Sequence, residues 1–342
     1  MVNINPQVVI VCAWFNRADY IRATVDGLLA QTFDSYEIVV VNDGSTDPRV
    51  REVLDTYNDG RLKIIHQENR GFVASLKTAI SASSAPFVAI QGAGERSRPD
   101  RIRKQWEWLS KNSDSVAVSC QTTRVSVLHD KRIEQPLAKL KKRHLEHSDF
   151  LSTAPVVHGS VMFQRTYYDS VGGYREFFRF AQDQDLWLRM TELGSFGVID
   201  DVLYERWIIP GDSVSTDTEK RILQTRLSEF ARQSALDRAT YGVDILEKYG
   251  AQGGLFLAPT KKTSKSLAKS SVKYLLANEL ESANALCRMA LRDRLSLEAC
   301  VAWLAVVASR RAPAIDSLLA FALKKFGFST VDRKPAAPFS KK

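Results

Sequence analysis

Two short segments of this 342-residue chain combine aromatic, amide and carboxylate side chains where a ligand could use them. The first is Ala13-Trp14-Phe15-Asn16-Arg17 and the second is Val41-Asn42-Asp43-Gly44-Ser45-Thr46-Asp47. Each follows an apolar run and precedes a helical pattern. An aromatic ring at a strand end can stack on a nucleobase. A carboxylate there can accept a hydrogen bond from a pyrimidine N3–H or a ribose hydroxyl, and neither group needs a glycine-rich phosphate loop. Taken singly, each segment also has a plainer reading, since Asp-Gly is turn chemistry and Asn16 a helix cap. A third candidate is the pair Asp183 and Asp185 at the start of a helical pattern. An aspartate in a first turn is stabilised by the helix dipole.

The elements that must position these residues alternate in type. Val8–Ala13 is a continuous apolar run, as for a strand buried on both faces. Asn16, as N-cap with Asp19 at N3, opens a helix ending near Ala30. Glu37–Val41 is a second strand, and Asp47 followed by Pro48 opens the next helix. Leu62–His66 is a third strand, Gly71–Ser81 a helix and Phe87–Gln91 a fourth strand. Pro99 starts a helix carrying Trp106 and Trp108, and Ser115–Gln121 is a fifth strand. This order predicts a Rossmann-like, mostly parallel sheet flanked by helices, with ligands at the carboxyl ends of the strands. The pattern weakens from Thr122 to Leu151, where the basic run Lys139–His147 reads as a surface helix or a loop. It resumes with a strand at Val156–Phe163, a helix at Asp183–Leu193, a strand at Phe196–Ile199 and a long helix at Asp217–Tyr241.

The expected α/β domain is therefore 1–249, with a donor-binding half at 1–121, an acceptor half at 122–216 and a trailing helix at 217–241. Gly250–Pro259, with Gly253-Gly254, marks a linker over 250–263. An all-α region follows at 264–332, with helices at Ser264–Ala277, Glu281–Arg292, Leu297–Ser309 and Pro313–Phe326. Small residues such as Ala283, Ala285 and Ala290 suit tightly packed antiparallel helices. The Pro/Lys-rich residues 333–342 read as a disordered tail.

Hydrophobic content of 44% and charged content of 25% argue for a folded protein and against disorder. The four cysteines, Cys12, Cys120, Cys287 and Cys300, form no CxxC pair, so neither a zinc site nor a disulfide scaffold is expected. The N-terminus lacks the pattern of a signal peptide. The longest apolar run, Ala299–Ala308, is about half of the roughly 20 residues that a spanning helix needs. A cytoplasmic protein is expected, peripheral to the inner face of the membrane at most. The net charge of +9 is uneven. Residues 251–342 hold 16 Lys+Arg against 6 Asp+Glu, a balance of +10, and the remainder carries −1. Such a basic region is either a solvated helical face or an attachment to anionic lipid, where each Lys/Arg contributes about 1 kcal/mol. It shows no recognised nucleic-acid-binding module, so nucleic acid is not an expected partner.

Taken together, the motifs resemble the family 2 inverting glycosyltransferases of the GT-A fold, which typically begin PTYNR and continue VVDDGSTD. The equivalents here are Ala13–Arg17 and Val40–Asp47. Further matches are Asn69-Arg70-Gly71, Arg98-Pro99-Asp100-Arg101, His158-Gly159-Ser160-Val161-Met162-Phe163 for HxSxMF, Gly172-Gly173-Tyr174, and Ala181–Arg189 (AQDQDLWLR) for AEDYDLWLR. The similarity runs in the family's order and spacing from about Val8 to Ser215. It implies a nucleoside pocket lined by Ala13, Phe15 and Asp43, in a donor site that also draws on Trp14, Asn16, Lys77, Gly92, Ala93 and Gly94. It implies Asp183 as catalytic base, with Asp185 as the rival. Inverting transfer is an in-line displacement at the anomeric carbon, and a carboxylate opposite the departing diphosphate takes the acceptor hydroxyl's proton. His158, Asp185 and Arg96 are candidates for the acceptor or diphosphate side, and a lone His in an apolar strand is equally a core residue.

One motif departs from the pattern. Where the family has a strand-end DADD with a metal-binding aspartate, this chain reads Gln91-Gly92-Ala93-Gly94-Glu95. The later RxH segment appears as Trp207-Ile208-Ile209. Three readings stay open: Glu95 as lone protein ligand of Mg²⁺ or Mn²⁺, cationic side chains such as Lys77 or Arg96 replacing the metal, or a non-catalytic member. The function the resemblance implies is transfer from a nucleotide-diphosphate sugar, UDP by default, to a saccharide or lipid-linked acceptor in surface polysaccharide synthesis. The alternative is a nucleotide-sugar-binding or scaffold protein of the same fold. A sugar nucleotidyltransferase is disfavoured, because nothing between Ala13 and Ala30 resembles its glycine-rich, arginine-containing loop.

Overall fold

The structure, a computed structural model, describes residues 5–128, 131–137, 139–208 and 218–311. The chain divides into two compact units, Met1–Ile209 and Pro210–Lys342.

The first unit is built on one sheet. Its strands are β1 (Val8–Trp14), β2 (Tyr36–Asp43), β3 (Leu62–Gln67), β4 (Phe87–Ile90), β5 (Arg96–Ser97), β6 (Ser115–Leu128), β7 (Lys131–Pro136), β8 (His144–Leu145), β9 (Met162–Gln164) and β10 (Ser195–Trp207). The spatial order is β3-β2-β1-β4-β9-β6-β10-β5, with β7 beside β6 and β8 beside β10. The half β3-β2-β1-β4 is parallel throughout. All seven β1 residues are buried, as the unbroken apolar run requires of a strand covered on both faces. The covering helices are α1 (Ile21–Leu29), α2 (Arg49–Leu54), α3 (Phe72–Ser81) and α4 (Arg101–Lys111). Helices α5 (His147–Ser152), α6 (Arg165–Ser170) and α7 (Gln182–Met190) complete the unit.

Several expectations are corrected. Strand β9 runs antiparallel between β4 and β6, and Val156–Phe163 is not one strand: a 3₁₀ turn at His158–Ser160 precedes a three-residue β9. Strands β6 and β10 are much longer than Ser115–Gln121 and Phe196–Ile199, because they pair in parallel as far as Val125 and Trp207. The basic run Lys139–His147 is neither a helix nor wholly a loop, since His144–Leu145 pairs with Phe196–Gly197. Asn16 does not cap α1. Asn16 and Arg17 both take left-handed backbone angles (φ 54° and 60°), and a short 3₁₀ turn at Ala18–Tyr20 leads into the helix.

The second unit holds α8 (Thr218–Tyr241), α9 (Ile245–Tyr249), α10 (Lys261–Leu276), α11 (Leu280–Asp293) and α12 (Leu297–Arg311). Ile222 on α8 shares a core with Leu267, Val272, Leu286, Ala290 and Ala302. The long helix expected to trail the first domain therefore belongs with the second, and the division falls at Ile209/Pro210 rather than near Gly250. Within the expected linker, Gly250–Phe256 forms a 3₁₀ segment and α10 begins at Lys261. Buried Ala283 and Ala290 let α10, α11 and α12 approach closely, as their small side chains predict, whereas Ala285 is exposed and takes no part in that packing. No helix among the described residues is long and apolar enough to cross a membrane. The expected helix at Pro313–Phe326 and the tail at 333–342 lie outside the described residues.

Candidate functional site

Strands β1, β2 and β4 end side by side, and the loops after them form one rim of the first unit. Asn16 ties two of these loops together. Its Oδ1 accepts from the Thr46 (2.9 Å) and Asp47 (3.2 Å) backbone N–H groups, and its own N–H donates to Ser45 Oγ (2.8 Å). The left-handed backbone at Asn16 turns the side chain towards β2's loop, so its role is to clamp rather than to cap. Phe15, next to it, is 44% exposed and offers an open ring on this rim, whereas Ala13 is buried beneath it. Trp14 is fully buried, with Nε1 donating to Asn16 O at 2.5 Å, so its ring packs the core and faces no ligand.

Asp43 is nearly buried and its carboxylate organises the loop before α3. Oδ1 accepts from Arg70 N–H (2.8 Å) and Gln67 Nε2 (2.8 Å), and Oδ2 accepts from Gly71 N–H (2.9 Å). Gly44 has φ 62°, and a methyl there would collide with the Asn69 backbone, so the two loops meet without room for a side chain. Asn69, Arg70, Gly71, Phe72, Glu176 and Arg179 line a cavity of about 420 Å³. Asp43 thus shapes one wall of that cavity by holding 69–71 in place. Asp43→Ala is expected to destabilise the unit by about 3 kcal/mol, since charge-assisted bonds to two backbone N–H groups are lost. Chemical denaturation would measure this. Lys77 on α3 does not reach into the rim's centre: it forms an exposed ion pair with Glu176 at 2.7 Å.

The 3₁₀ turn at His158–Ser160 joins the α3 side to α7. The His158 ring lies 5.9 Å from the Phe72 ring and 6.0 Å from that of Trp187, and its Nε2 pairs with Tyr174 Oη at 2.6 Å. Burial pushes its imidazole below the ordinary histidine value, while the Asp183 carboxylate pulls the other way. Asp183 sits in the first turn of α7, where Oδ1 accepts from the Gln184 N–H at 2.9 Å. Asp185, two residues on, has a different environment. It is 1% exposed and held between two arginines, Arg175 and Arg189, with Arg189 Nη2 at 2.7 Å. The two carboxylates that sequence reasoning left as rivals are thereby separated: one is partly exposed, the other is locked in an ion-pair network.

The turn after β4 is where the chain departs most from expectation. Glu95 does not point outward from it. Its Oε2 accepts from Tyr204 Oη at 2.5 Å, and the Gly92 N–H donates to the same Oη at 2.9 Å. Burial raises the Glu95 carboxyl above its ordinary value. Arg17 donates from Nη1 to Ala93 O at 2.7 Å, and Thr24 Oγ1 to Glu95 O at 3.0 Å, so the middle and the far end of the turn are fastened. Beneath it Arg101 is fully buried, donating to Ile90 O, Gln91 Oε1 and Ser97 Oγ with its guanidinium 4.9 Å from the centre of the Tyr204 ring. Arg96 stacks on Trp207 at 4.1 Å, and Arg206 Nε lies 4.0 Å from Glu95 Oε1. Sequence reasoning missed Tyr204 and Arg206, which come to the turn through the unforeseen extension of β10 and which no local motif marks. Gly159 lies inside the His158–Phe163 match, which gives it no role against Tyr204.

An α/β unit with this sheet order, a strand-end rim and a helical second unit has the architecture of GT-A glycosyltransferases. The crystal structure of S. aureus TarS 1–349 in complex with UDP-GlcNAc shares that fold, with a TM-score of 0.55 at 14% identity, covering 96% of this chain and 93% of that one. Residues 8–172, within the first unit, match the model of glycosyl transferase family 2. Relatives agree: an uncharacterized glycosyltransferase of Haemophilus influenzae is 24% identical over 261 residues, 70% of this chain and 79% of its own length. The chondroitin synthase of Pasteurella multocida is 27% identical over 224 residues, 63% of this chain but only 22% of that protein. The chain is a glycosyltransferase.

Proposed function

We propose that this glycosyltransferase moves a sugar, with inversion, from a nucleotide-diphosphate donor to a saccharide or lipid-linked acceptor in surface polysaccharide synthesis. The observation that carries the donor side is the rim itself: an open aromatic, Phe15, beside a wall of the 420 Å³ cavity that Asp43 holds in place. A base stacked on Phe15 would leave its diphosphate directed to the turn after β4. The TarS neighbour is described with UDP-GlcNAc, which supports a UDP-sugar as the first donor to test.

Asp183 is the general base in this reading. Its charge acts on His158, it is partly exposed, and it lies outside the ion-pair network that occupies Asp185. His158 serves as a wall between Phe72 and Asp183, its lowered pKa keeping it neutral near pH 7. The resemblance to a polysaccharide synthase supports a growing glycan as acceptor. The basic C-terminal region, with its +10 balance, would attach to an anionic lipid surface near such an acceptor.

Isothermal titration with UDP-, GDP- and dTDP-sugars tests the donor reading. One nucleotide class is expected to bind in the micromolar range, about −8 kcal/mol, and Phe15→Ala to weaken it by about tenfold through lost stacking. Failure of the whole panel would remove the nucleotide-diphosphate donor reading.

A further inference from the structure

The turn Gln91–Glu95 occupies the place where this family is expected to hold a divalent cation, and its donor set does not fit one. Gly92 and Gly94 supply no side-chain oxygen. Glu95, the one carboxylate, is turned inward, with Oε2 closed off by the Tyr204 hydroxyl at 2.5 Å and Oε1 facing Arg206 at 4.0 Å. The glycines are what permit this. A methyl at Gly92 would overlap the Glu95 carboxylate, and one at Gly159 would overlap the Tyr204 hydroxyl. An aspartate at position 92 and the observed Glu95–Tyr204 pair are therefore sterically exclusive. Among the described residues, no three His, Cys, Asp or Glu side chains gather as a metal-holding group. A hard cation such as Mg²⁺ or Mn²⁺ asks for open oxygen ligands, and the one carboxylate at this turn is already engaged by Tyr204 and faces Arg206.

The charge around the turn has the sign a metal would otherwise supply. Arg17, Arg101 and Arg206 act on the Glu95 carboxylate, so three positive charges surround at most one negative at the turn. Arg101 is wholly buried and acts only through its field. Arg206 is partly exposed on β10, on the strand face it shares with Tyr204, whereas Arg96 pairs in register with Glu205 and stacks on Trp207 on the other face.

Resting on the nucleotide-diphosphate reading above, we infer that this chain binds its donor's diphosphate without a protein-bound divalent cation, with Arg206, in the field of Arg17 and Arg101, taking the cation's place. Lys77, engaged with Glu176, is not part of this set. The leaving nucleoside diphosphate is then stabilised by fixed guanidinium groups rather than by a Lewis acid.

The test is calorimetric titration of the full chain with UDP and with uridine, in EDTA and again in Mg²⁺ or Mn²⁺, repeated with GDP and dTDP. UDP affinity is expected to agree within about twofold between the conditions. Arg206→Gln is expected to weaken UDP by about 10-fold or more while changing uridine by less than about twofold, the signature of a lost charge-assisted phosphate contact. A gain of about tenfold or more in UDP affinity on adding either cation overturns the inference and leaves the donor reading standing. Equal loss of UDP and uridine in Arg206→Gln also overturns it, because the arginine then supports the fold rather than the diphosphate. Absence of any nucleotide binding in both conditions overturns the donor reading itself, and the inference with it.

Discussion

Asp183→Asn is expected to lower the rate of sugar transfer by about 10²–10⁴-fold, the range that removal of a general base produces. Nucleotide affinity should stay within about twofold of the parent, and so should the melting temperature within a degree or two. The asymmetry follows from the local structure. Asp183 Oδ1 accepts from the Gln184 N–H in the first turn of α7, and an asparagine keeps that acceptor oxygen and the same shape. What it loses is the ability to take a proton from an acceptor hydroxyl. The measurement is turnover of whichever nucleotide sugar binds, set beside calorimetric titration of the same nucleotide. Transfer at the parent rate would show that another group is the base.

Much of the donor half is legible from the chain alone because its information is local. The apolar runs in β1 and β2 and the turn residues after them lie within a few positions of each other, and burial on both faces writes itself into composition. The acceptor half is different. The 3₁₀ turn at His158–Ser160 looks like strand in sequence, since Val156, Val157, Val161 and Met162 flank it, and the break is set by tertiary contact: Gly159 has to lie flat against Tyr204. The extension of β10 to Trp207 likewise depends on β6 lying parallel to it, a pairing that separates Thr122 from Tyr204 by more than 80 residues. Asn16 shows a subtler failure. Its residue type fits a cap, and also fits the left-handed conformation that asparagine tolerates. Only the presence of the Thr46 and Asp47 N–H groups across the rim decides between them.

The same reasoning explains why Gly92 and Gly94 were open to several readings. Glycine at a strand end admits a close phosphate, a lost metal ligand or a tight turn. The Glu95–Tyr204 hydrogen bond selects the space-filling explanation for Gly92, since the carboxylate occupies the volume a side chain would need. The partner that settles this, Tyr204, lies 109 positions further along the chain.

Asp185→Ala is expected to act in the opposite manner to Asp183→Asn, losing stability first and activity as a consequence. The Asp185 carboxylate is the counter-ion of Arg189, itself 4% exposed, and of Arg175, 18% exposed at its side chain. Arg189 also donates to Val171 O and Gly173 O, so the network joins α7 to the Gly172-Gly173-Tyr174 loop and so supports His158 through Tyr174. Deleting the carboxylate leaves a buried guanidinium without its partner, a change that costs about 3–5 kcal/mol. For a unit of this size that corresponds to a fall in melting temperature on the order of 10 °C. Thermal denaturation of Asp185→Ala beside Asp183→Asn separates the two roles. If Asp185→Ala melts with the parent and loses only turnover, the ion-pair network is dispensable to the fold. The proton-accepting role would then have to be reassigned to Asp185, with Asp183 left to terminate the helix. A large fall in melting temperature for Asp185→Ala alone fixes it as the residue that positions α7, and leaves Asp183 as the carboxylate at that helix end with freedom to exchange a proton.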